Sequence, residues 1–212
     1  MLLLQRWSVT GVLVVLISAN ALAVAKTCPT SVKPKDSTAL AAATKTTGCD
    51  SGLKKNGFSV PDPKCTPGSV NPTVKLTTLE NKNFTTSCVR DKATSAAKKK
   101  TTYAAYAITP PQGNIGKTQT CELDHLVSIE LGGADTLDNI WPQCGPADTE
   151  LAQRYFKIKD GVENYLNVQV KAGQLTLGEA QKQIATDWTQ FISASQTYWT
   201  THKATGFGKD GP

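Results

Sequence analysis

Histidine is scarce in this sequence, which contains only His125 in its middle and His202 near its C-terminus. Any imidazole chemistry in the body of the protein must therefore use His125. The six cysteines form no Cys-x-x-Cys pair, which argues against a zinc site built from thiolates. Beyond the first 25 residues, no apolar run is long enough to cross a bilayer, and no internal repeat is present.

The composition excludes two further classes of protein. With 39% hydrophobic and 19% charged residues, the chain fits neither a membrane bundle nor a mainly disordered polymer. Its 212 residues suffice for one domain with a leader or a loose extension. We therefore expect a single buried core.

The first 25 residues have the pattern of a secretory signal peptide. Arg6 supplies the positive start, residues 9–22 are mostly apolar, and Ala23-Val24-Ala25 matches a small-residue cleavage site. The alternative is an uncleaved membrane anchor, but Ser18 and Asn20 interrupt the apolar run. We therefore expect an extracellular or periplasmic protein with no membrane attachment after cleavage. Its net charge of +6 would fall to +5 with the loss of Arg6, a balance that mildly favours polyanions such as nucleic acid.

An even number of cysteines in an exported chain predicts disulfides. All six follow the leader, at positions 28, 49, 65, 88, 121 and 144. Fifteen pairings are compatible with six cysteines. We predict the sequential one, Cys28–Cys49, Cys65–Cys88 and Cys121–Cys144. A bridge over a loop of about twenty residues would contribute on the order of 3 kcal/mol.

The chain divides by composition into an extension, a domain and a tail. Residues 26–57 contain few large apolar side chains, which predicts a weakly packed, loop-rich extension clipped by a disulfide, with a short helix at 39–44. Residues 58–200 are expected to form a single domain. It begins with turns and short strands over 58–90, including an extended run from Val74 to Leu79. The glycines in residues 201–212 indicate a flexible tail.

A basic segment precedes the middle of the domain. Arg90-Asp91-Lys92 and then Lys98-Lys99-Lys100 lead into Tyr103 and Tyr106, and a helix here would separate the lysines from the tyrosines. The lysines could form a phosphate-contacting edge or simply a solvated surface.

Two helices are predicted after residue 146. Apolar residues recur at spacings of three and four over residues 147–172, with Gly173 as the stop signal. A capping box at Thr176 and Glu179 opens the next helical segment. We expect an antiparallel helical hairpin over residues 147–200, with its aromatic residues in the core.

The stretch from Cys121 to Cys144 contains the candidate chemistry. Asp124 is a hard oxygen ligand suited to Mg²⁺, and its neighbour His125, when neutral, can take a proton from water. Gly132-Gly133 permits a tight reversal, and Asn139 can pin the following loop. The residue types alone are equally compatible with plain core packing.

Three strings in this stretch resemble the HNH endonuclease superfamily. They are Asp124-His125-Leu126, Glu130-Leu131-Gly132-Gly133 and Asn139-Ile140-Trp141-Pro142-Gln143. They are more closely similar to a branch of secreted HNH-like proteins, and the match covers residues 121–143, with a weaker echo in Lys159-Asp160 and Glu163. The resemblance implies an α+β protein with a ββα-metal core in residues 121–160. The helical hairpin would flank this core.

The resemblance also implies roles for individual residues. His125 would be the general base, Asn139 would orient the loop that holds it, and Asp124 would bind a divalent ion, Mg²⁺ or alternatively Mn²⁺. The family's last metal ligand, a His or Asn on the next helix, has no match here. The substitute favoured by spacing is Asp148, and the fallbacks are Glu150, Asp160 and Glu163.

The implied activity is metal-dependent hydrolysis of phosphodiester bonds with little sequence specificity, and the residues do not distinguish DNA from RNA. Arg154, Lys157 and Lys159 are the candidate phosphate-binding cations. Two alternatives remain open. One is a noncatalytic nucleic-acid-binding protein on the same scaffold, and the other is a structural secreted module.

Overall fold

The computed structural model describes residues 27–93 and 95–202. In this part of the chain, small antiparallel sheets combine with a helical C-terminal region into a mixed α+β structure. The predicted signal peptide and most of the predicted tail lie outside the described residues.

The short strands pair in twos. The strands are β1 (Thr38–Ala39), β2 (Lys54–Lys55), β3 (Phe58–Ser59), β4 (Ser69–Val70), β5 (Cys121–His125) and β6 (Ile140–Cys144). β1 pairs with β4, β2 with β3, and β5 with β6. The helices are α1 (Leu76–Leu79), α2 (Ser95–Ala105), α3 (Tyr155–Lys171), α4 (Leu177–Asp187) and α5 (Ile192–His202).

The β5–β6 pair carries the motif and contacts α3. His125 lies opposite Ile140 at the closed end of this pair. On the way from β5 to β6 the chain passes Gly133, where an added Cβ would lie 1.8 Å from the carbonyl oxygen of Val127. Only glycine fits such a close backbone approach, so the Gly-Gly sequence is needed for the reversal.

The predicted C-terminal helical hairpin is confirmed. α3 ends before Gly173, whose φ of +71° is typical of a helix stop. Thr176 and Glu179 form the predicted capping box at the start of α4. The apolar faces of α3, α4 and α5 enclose Trp188, which is fully buried in the main hydrophobic cluster.

α3 begins at Tyr155 and not near Ala147 as predicted. Residues 147–154 form turns and a single 3₁₀ turn, because their backbone and side chains bind neighbouring segments. The Tyr155 backbone N–H donates to Gly145 O at 2.9 Å, and the Arg154 guanidinium donates to Lys117 O at 3.0 Å. The spacing of apolar residues along the sequence does not reveal such contacts with other segments.

The helix predicted at residues 39–44 is absent, and that prediction was wrong. Thr38–Ala39 is a strand, and the N–H groups of Leu40 and Thr44 donate to Gly68 O and Lys64 O at 2.9 and 2.8 Å. Pairing with residues 64–70 therefore satisfies the donors that a helix would have used internally. Leu76–Leu79 likewise forms one helical turn where an extended run was expected.

Three disulfides are present, but two of the predicted pairings were wrong. Cys121–Cys144 forms as predicted, whereas the others are Cys28–Cys88 and Cys49–Cys65. Sequential pairing failed because the N-terminal segment crosses over residues 71–88. Lys33 N donates to Thr73 Oγ1 at 2.9 Å, which directs the chain toward Cys88.

No helix in residues 27–93 or 95–202 is both long enough and apolar enough to cross a membrane. The three disulfides are, separately, consistent with a protein of an oxidising compartment.

Candidate active site

Asn139 ties together the backbone around the motif. It is fully buried, and its Oδ1 accepts from Val127 N at 2.9 Å and Ser69 N at 3.3 Å. Its Nδ2 donates to Val127 O at 2.9 Å and Ala134 O at 2.8 Å. One amide thus holds β4, the segment after His125 and the loop before β6. The Asn139 amide therefore fixes the loop between β5 and β6 relative to the segment that follows His125.

His125 forms a pair with Asp135, which lies in the loop between β5 and β6. The imidazole Nε2 is 3.0 Å from Asp135 Oδ1. Asp135 also accepts from Lys98 Nζ and, at 2.8 Å, from the Asp91 backbone N–H. Although burial alone would raise it, the hydrogen bonds from His125 and Lys98 hold the pKa of Asp135 well below its usual range. The carboxylate is therefore ionised and can only accept.

This pair determines which imidazole nitrogen is available. Burial lowers the pKa of His125 below that of a free imidazole, against the opposing effect of Asp135. The ring is therefore neutral near pH 7. Because the ionised Asp135 accepts a hydrogen bond from Nε2–H, the lone pair of the neutral ring lies on Nδ1, and this is the atom that can act as a base.

A basic cleft opens beside His125. It has a volume of about 170 Å³, and His125 and Asp135 line it together with the cations Arg90, Lys92, Lys98 and Lys99. Arg90, Lys92 and Lys99 are exposed, whereas Lys98 is held by Asp135. The lysine segment is thus more than a solvated surface, because part of it forms the wall of a cleft that contains the imidazole.

Beneath His125 lies a completely buried lysine. The Lys159 ammonium is 2.8 Å from Asp124 Oδ2, pairs with Glu163, and donates to the backbone carbonyl of His125 at 2.8 Å. Although burial alone would lower it, the charges of Asp124 and Glu163 raise the pKa of Lys159. Lys159 therefore remains protonated and connects α3 to β5 through charge-assisted hydrogen bonds.

On this side of His125, five carboxylates line a small acidic pocket. They belong to Glu122, Asp124, Glu130, Asp160 and Glu163. Arg90 also lines it, and Lys157 and Lys159 pair with its members. His125 thus stands between a basic cleft and an acidic pocket.

Burial and the neighbouring carboxylates raise the pKa values of several acidic side chains in this pocket. Burial raises the pKa of Glu122 to about 7, with Asp160 and Asp124 adding to the effect. Burial likewise raises the pKa of Glu130 and of Glu163, the latter against the opposing charge of Lys159. Full ionisation of the pocket therefore opposes folding.

We predict that Glu122→Gln changes the pH dependence of stability. A glutamate whose folded pKa is raised from 4.5 to about 7 stabilises the fold below pH 4.5, and this contribution is lost as pH rises through 7. The variant should match the parent near pH 4.5 and exceed its free energy of unfolding at pH 8 by about 3 kcal/mol. Denaturant titrations at both pH values measure this. His125 titrates in both proteins, so its effect cancels. If the free energies of unfolding of the variant and the parent differed by the same amount at both pH values, the prediction would be contradicted.

Asp148, the predicted metal-binding partner of Asp124, lies apart from His125. Asp148 is exposed and does not line the pocket that contains Asp124, so the structure does not bring together the predicted metal pair. Among the alternative ligands, Glu150 is also exposed, whereas Asp160 and Glu163 line that pocket.

The predicted phosphate-binding cations are likewise engaged by the protein. Arg154 is 5% exposed, and its guanidinium donates to the carbonyls of Gln119, Lys117 and Thr149. Lys159 is buried, and Lys157 pairs with Asp160 at 2.7 Å. Arg154 and Lys159 do not match the predicted role, because their donors bind protein acceptors.

Sequence reasoning did not find Asp135 or the gathering of five carboxylates in one pocket. Asp135 had a usable signal, since it is an acidic residue just after the Gly-Gly reversal in a hairpin that folds back on His125. Arg90 belongs to the predicted basic segment, but its position in the acidic pocket as well as the basic cleft depends on tertiary packing.

A scan against protein-family models, a search of curated proteins and a search of solved structures each found no match to this chain.

Proposed function

We propose that this protein is a secreted endonuclease that hydrolyses phosphodiester bonds of DNA or RNA with little sequence specificity. The observation that carries the proposal is the His125–Asp135 pair at the wall of a cleft lined by Arg90, Lys92 and Lys99. A neutral base beside exposed cations is the combination needed to activate water next to a phosphate. The resemblance of residues 121–143 to secreted HNH-like proteins points to the same chemistry.

In this proposal the exposed cations bind the phosphodiester and counter the charge that develops on its oxygens. His125 Nδ1 takes the proton of the attacking water, and the resulting imidazolium donates through Nε2 to Asp135. Asp135 therefore acts as a positioning residue that selects the tautomer and stabilises the charged ring, as the carboxylate does in other histidine-based sites. Lys159 holds the His125 carbonyl and Asn139 holds the backbone of Val127, two residues later.

A divalent ion, Mg²⁺ or Mn²⁺, is part of the proposal, with a changed ligand set. Asp148 does not fit, whereas Asp124, Asp160 and Glu163 line one pocket with His125 and carry the oxygen donors that Mg²⁺ prefers. Among the described residues, no three histidine, cysteine or acidic side chains are already placed to hold an ion, so these side chains would have to move together to bind it. The excess of carboxylates over cations in this pocket also suits a divalent charge. A bound ion would supply Lewis-acid stabilisation of phosphate oxygens.

One observation favours a second candidate function. The Asp124 carboxylate is already paired with the buried Lys159 ammonium. If that pair is permanent, the protein would be a noncatalytic nucleic-acid binder whose basic cleft holds phosphates. Such a binder would show salt-sensitive affinity without cleavage.

The two functions are separated by incubating the oxidised, leaderless protein with plasmid DNA and with RNA. Magnesium, manganese and EDTA should be tested in parallel. We expect cleavage of at least one substrate with a divalent ion and its loss in EDTA. Binding without cleavage under every condition would support the noncatalytic binder. If the protein neither bound nor cleaved DNA or RNA, both candidate functions would be contradicted.

A further inference from the structure

A second cavity lies along α2 from the basic cleft. It has a volume of about 170 Å³, and its lining is predominantly apolar. The ring of Tyr106, the Cys49–Cys65 disulfide, Ala105 and Ile140 contribute to its walls, and Leu137, which is 45% exposed, stands at its edge. A closed apolar cavity of roughly 150 Å³ is sufficient to hold a benzene ring. The cavity is therefore of the right size for a single planar ring.

The cavity adjoins the cleft that contains His125. Ile140 lines both, and α2 forms a wall of both. On that helix Lys98 lines the cleft, and Thr101, three residues later on the same face, lines the cavity. Three residues rise about 4.5 Å along a helix. This span is comparable to the reach from a phosphodiester to the base of the same nucleotide.

The basic cleft suits the phosphate of a nucleotide, and the apolar cavity suits its base. The cleft presents exposed cations, and the cavity presents mainly apolar walls, with Lys45 and Asp138 as one charged residue of each sign among its lining residues. Single-stranded nucleic acids are commonly held by a basic track beside surfaces on which bases pack. A paired base is stacked inside the duplex and cannot enter such a cavity without being flipped out.

We infer that this cavity is a base-binding subsite that accepts an unpaired nucleobase while its phosphate lies in the basic cleft. The inference rests on the proposed nuclease function and narrows its substrate class. The protein binds and cleaves single-stranded nucleic acid, or unpaired stretches in a duplex, in preference to continuous duplex.

The test is to block the mouth of the cavity with Thr101→Trp, since Thr101 is an exposed helix residue that lines it. The matched control is Ala104→Trp, at an exposed position of the same helix that does not line the cavity. Both are made in the full leaderless chain carrying His125→Ala, so that binding is measured without cleavage. Fluorescence anisotropy then follows a short labelled single strand, the same strand with abasic central nucleotides, and the corresponding duplex.

We expect Thr101→Trp to weaken binding of the intact single strand about 5- to 100-fold, the range for loss of one base contact. The affinities of Thr101→Trp for the abasic strand and for the duplex should change less than twofold. The affinities of Ala104→Trp for all three ligands should also change less than twofold. Equal weakening of all three ligands, or no effect on the intact strand, would overturn the base subsite. If the protein without substitutions still cleaves DNA or RNA, the proposed function stands despite that result. If it neither binds nor cleaves, both proposals fail.

Discussion

Replacing His125 by alanine should lower the rate of phosphodiester cleavage about 10²- to 10⁴-fold, the usual contribution of a general base. The loss should appear in kcat with little change in substrate affinity, because the phosphate is held by Arg90, Lys92 and Lys99. Initial rates on plasmid or RNA over a range of substrate concentrations measure this. Folding should survive, since Asp135 would keep its contacts with Lys98 and the Asp91 N–H, and Asn139 would keep its hydrogen bonds.

His202→Ala is the matched control, since this second histidine is exposed at the end of α5 and should leave the rate unchanged. Asp135→Asn provides a finer test, because an amide could offer its N–H to Nε2 and favour the wrong tautomer. That variant should also lose activity and should shift the acidic limb of the pH–rate profile. Normal cleavage by His125→Ala would rule out the assigned base.

Removing the buried ammonium in Lys159→Met should destabilise the protein by about 3–5 kcal/mol, the cost of leaving buried carboxylates without their partner. Asp124 and Glu163 would lose a shared cation, and the His125 carbonyl would lose a donor. Lys157→Met serves as the control, because its side chain is 30% exposed and its pair with Asp160 lies near solvent. Pairs of that kind contribute about 0–1 kcal/mol. Denaturant unfolding of the three proteins gives the comparison.

The same variants examine the proposed ion. If Mg²⁺ binds at Asp124 and Glu163, it should restore more stability to Lys159→Met than to the unchanged protein, because the two cations compete for the same carboxylates. Equal stabilities of the two lysine variants would show that the carboxylates do not depend on Lys159. An equal magnesium effect on Lys159→Met and the unchanged protein would place the ion elsewhere.

Local sequence patterns predicted the elements that depend on neighbouring residues. The capping box, the glycine stop after α3 and the helical hairpin all follow from spacing within a few residues. Asp124, His125 and Asn139 also meet in the β5–β6 region, because a hairpin brings nearby sequence together. The Cys121–Cys144 bridge was predictable for the same reason, since those residues face each other in the register.

The parts that failed are those that depend on distant segments. The pairings of Cys28 and Cys49 follow the path of the N-terminal chain over residues 64–88, which has no periodic signal. Arg154 resembled a surface cation, but the loop at 117–119 covers it and binds its guanidinium. The pairing of Lys159 with Asp124 required knowing which face of α3 meets β5, and this depends on tertiary packing.

The crossing of the N-terminal segment has a practical consequence for fragment design. A chain beginning at residue 58 would retain the entire stretch from Cys121 to Cys144. It would nevertheless lose the partner of β4 and leave Cys65 and Cys88 as unpaired thiols, because their partners, Cys49 and Cys28, precede residue 58. Cys65 lies beside Tyr106, and Cys88 lies two residues before Arg90. The minimal unit for expression and assay therefore begins before Cys28.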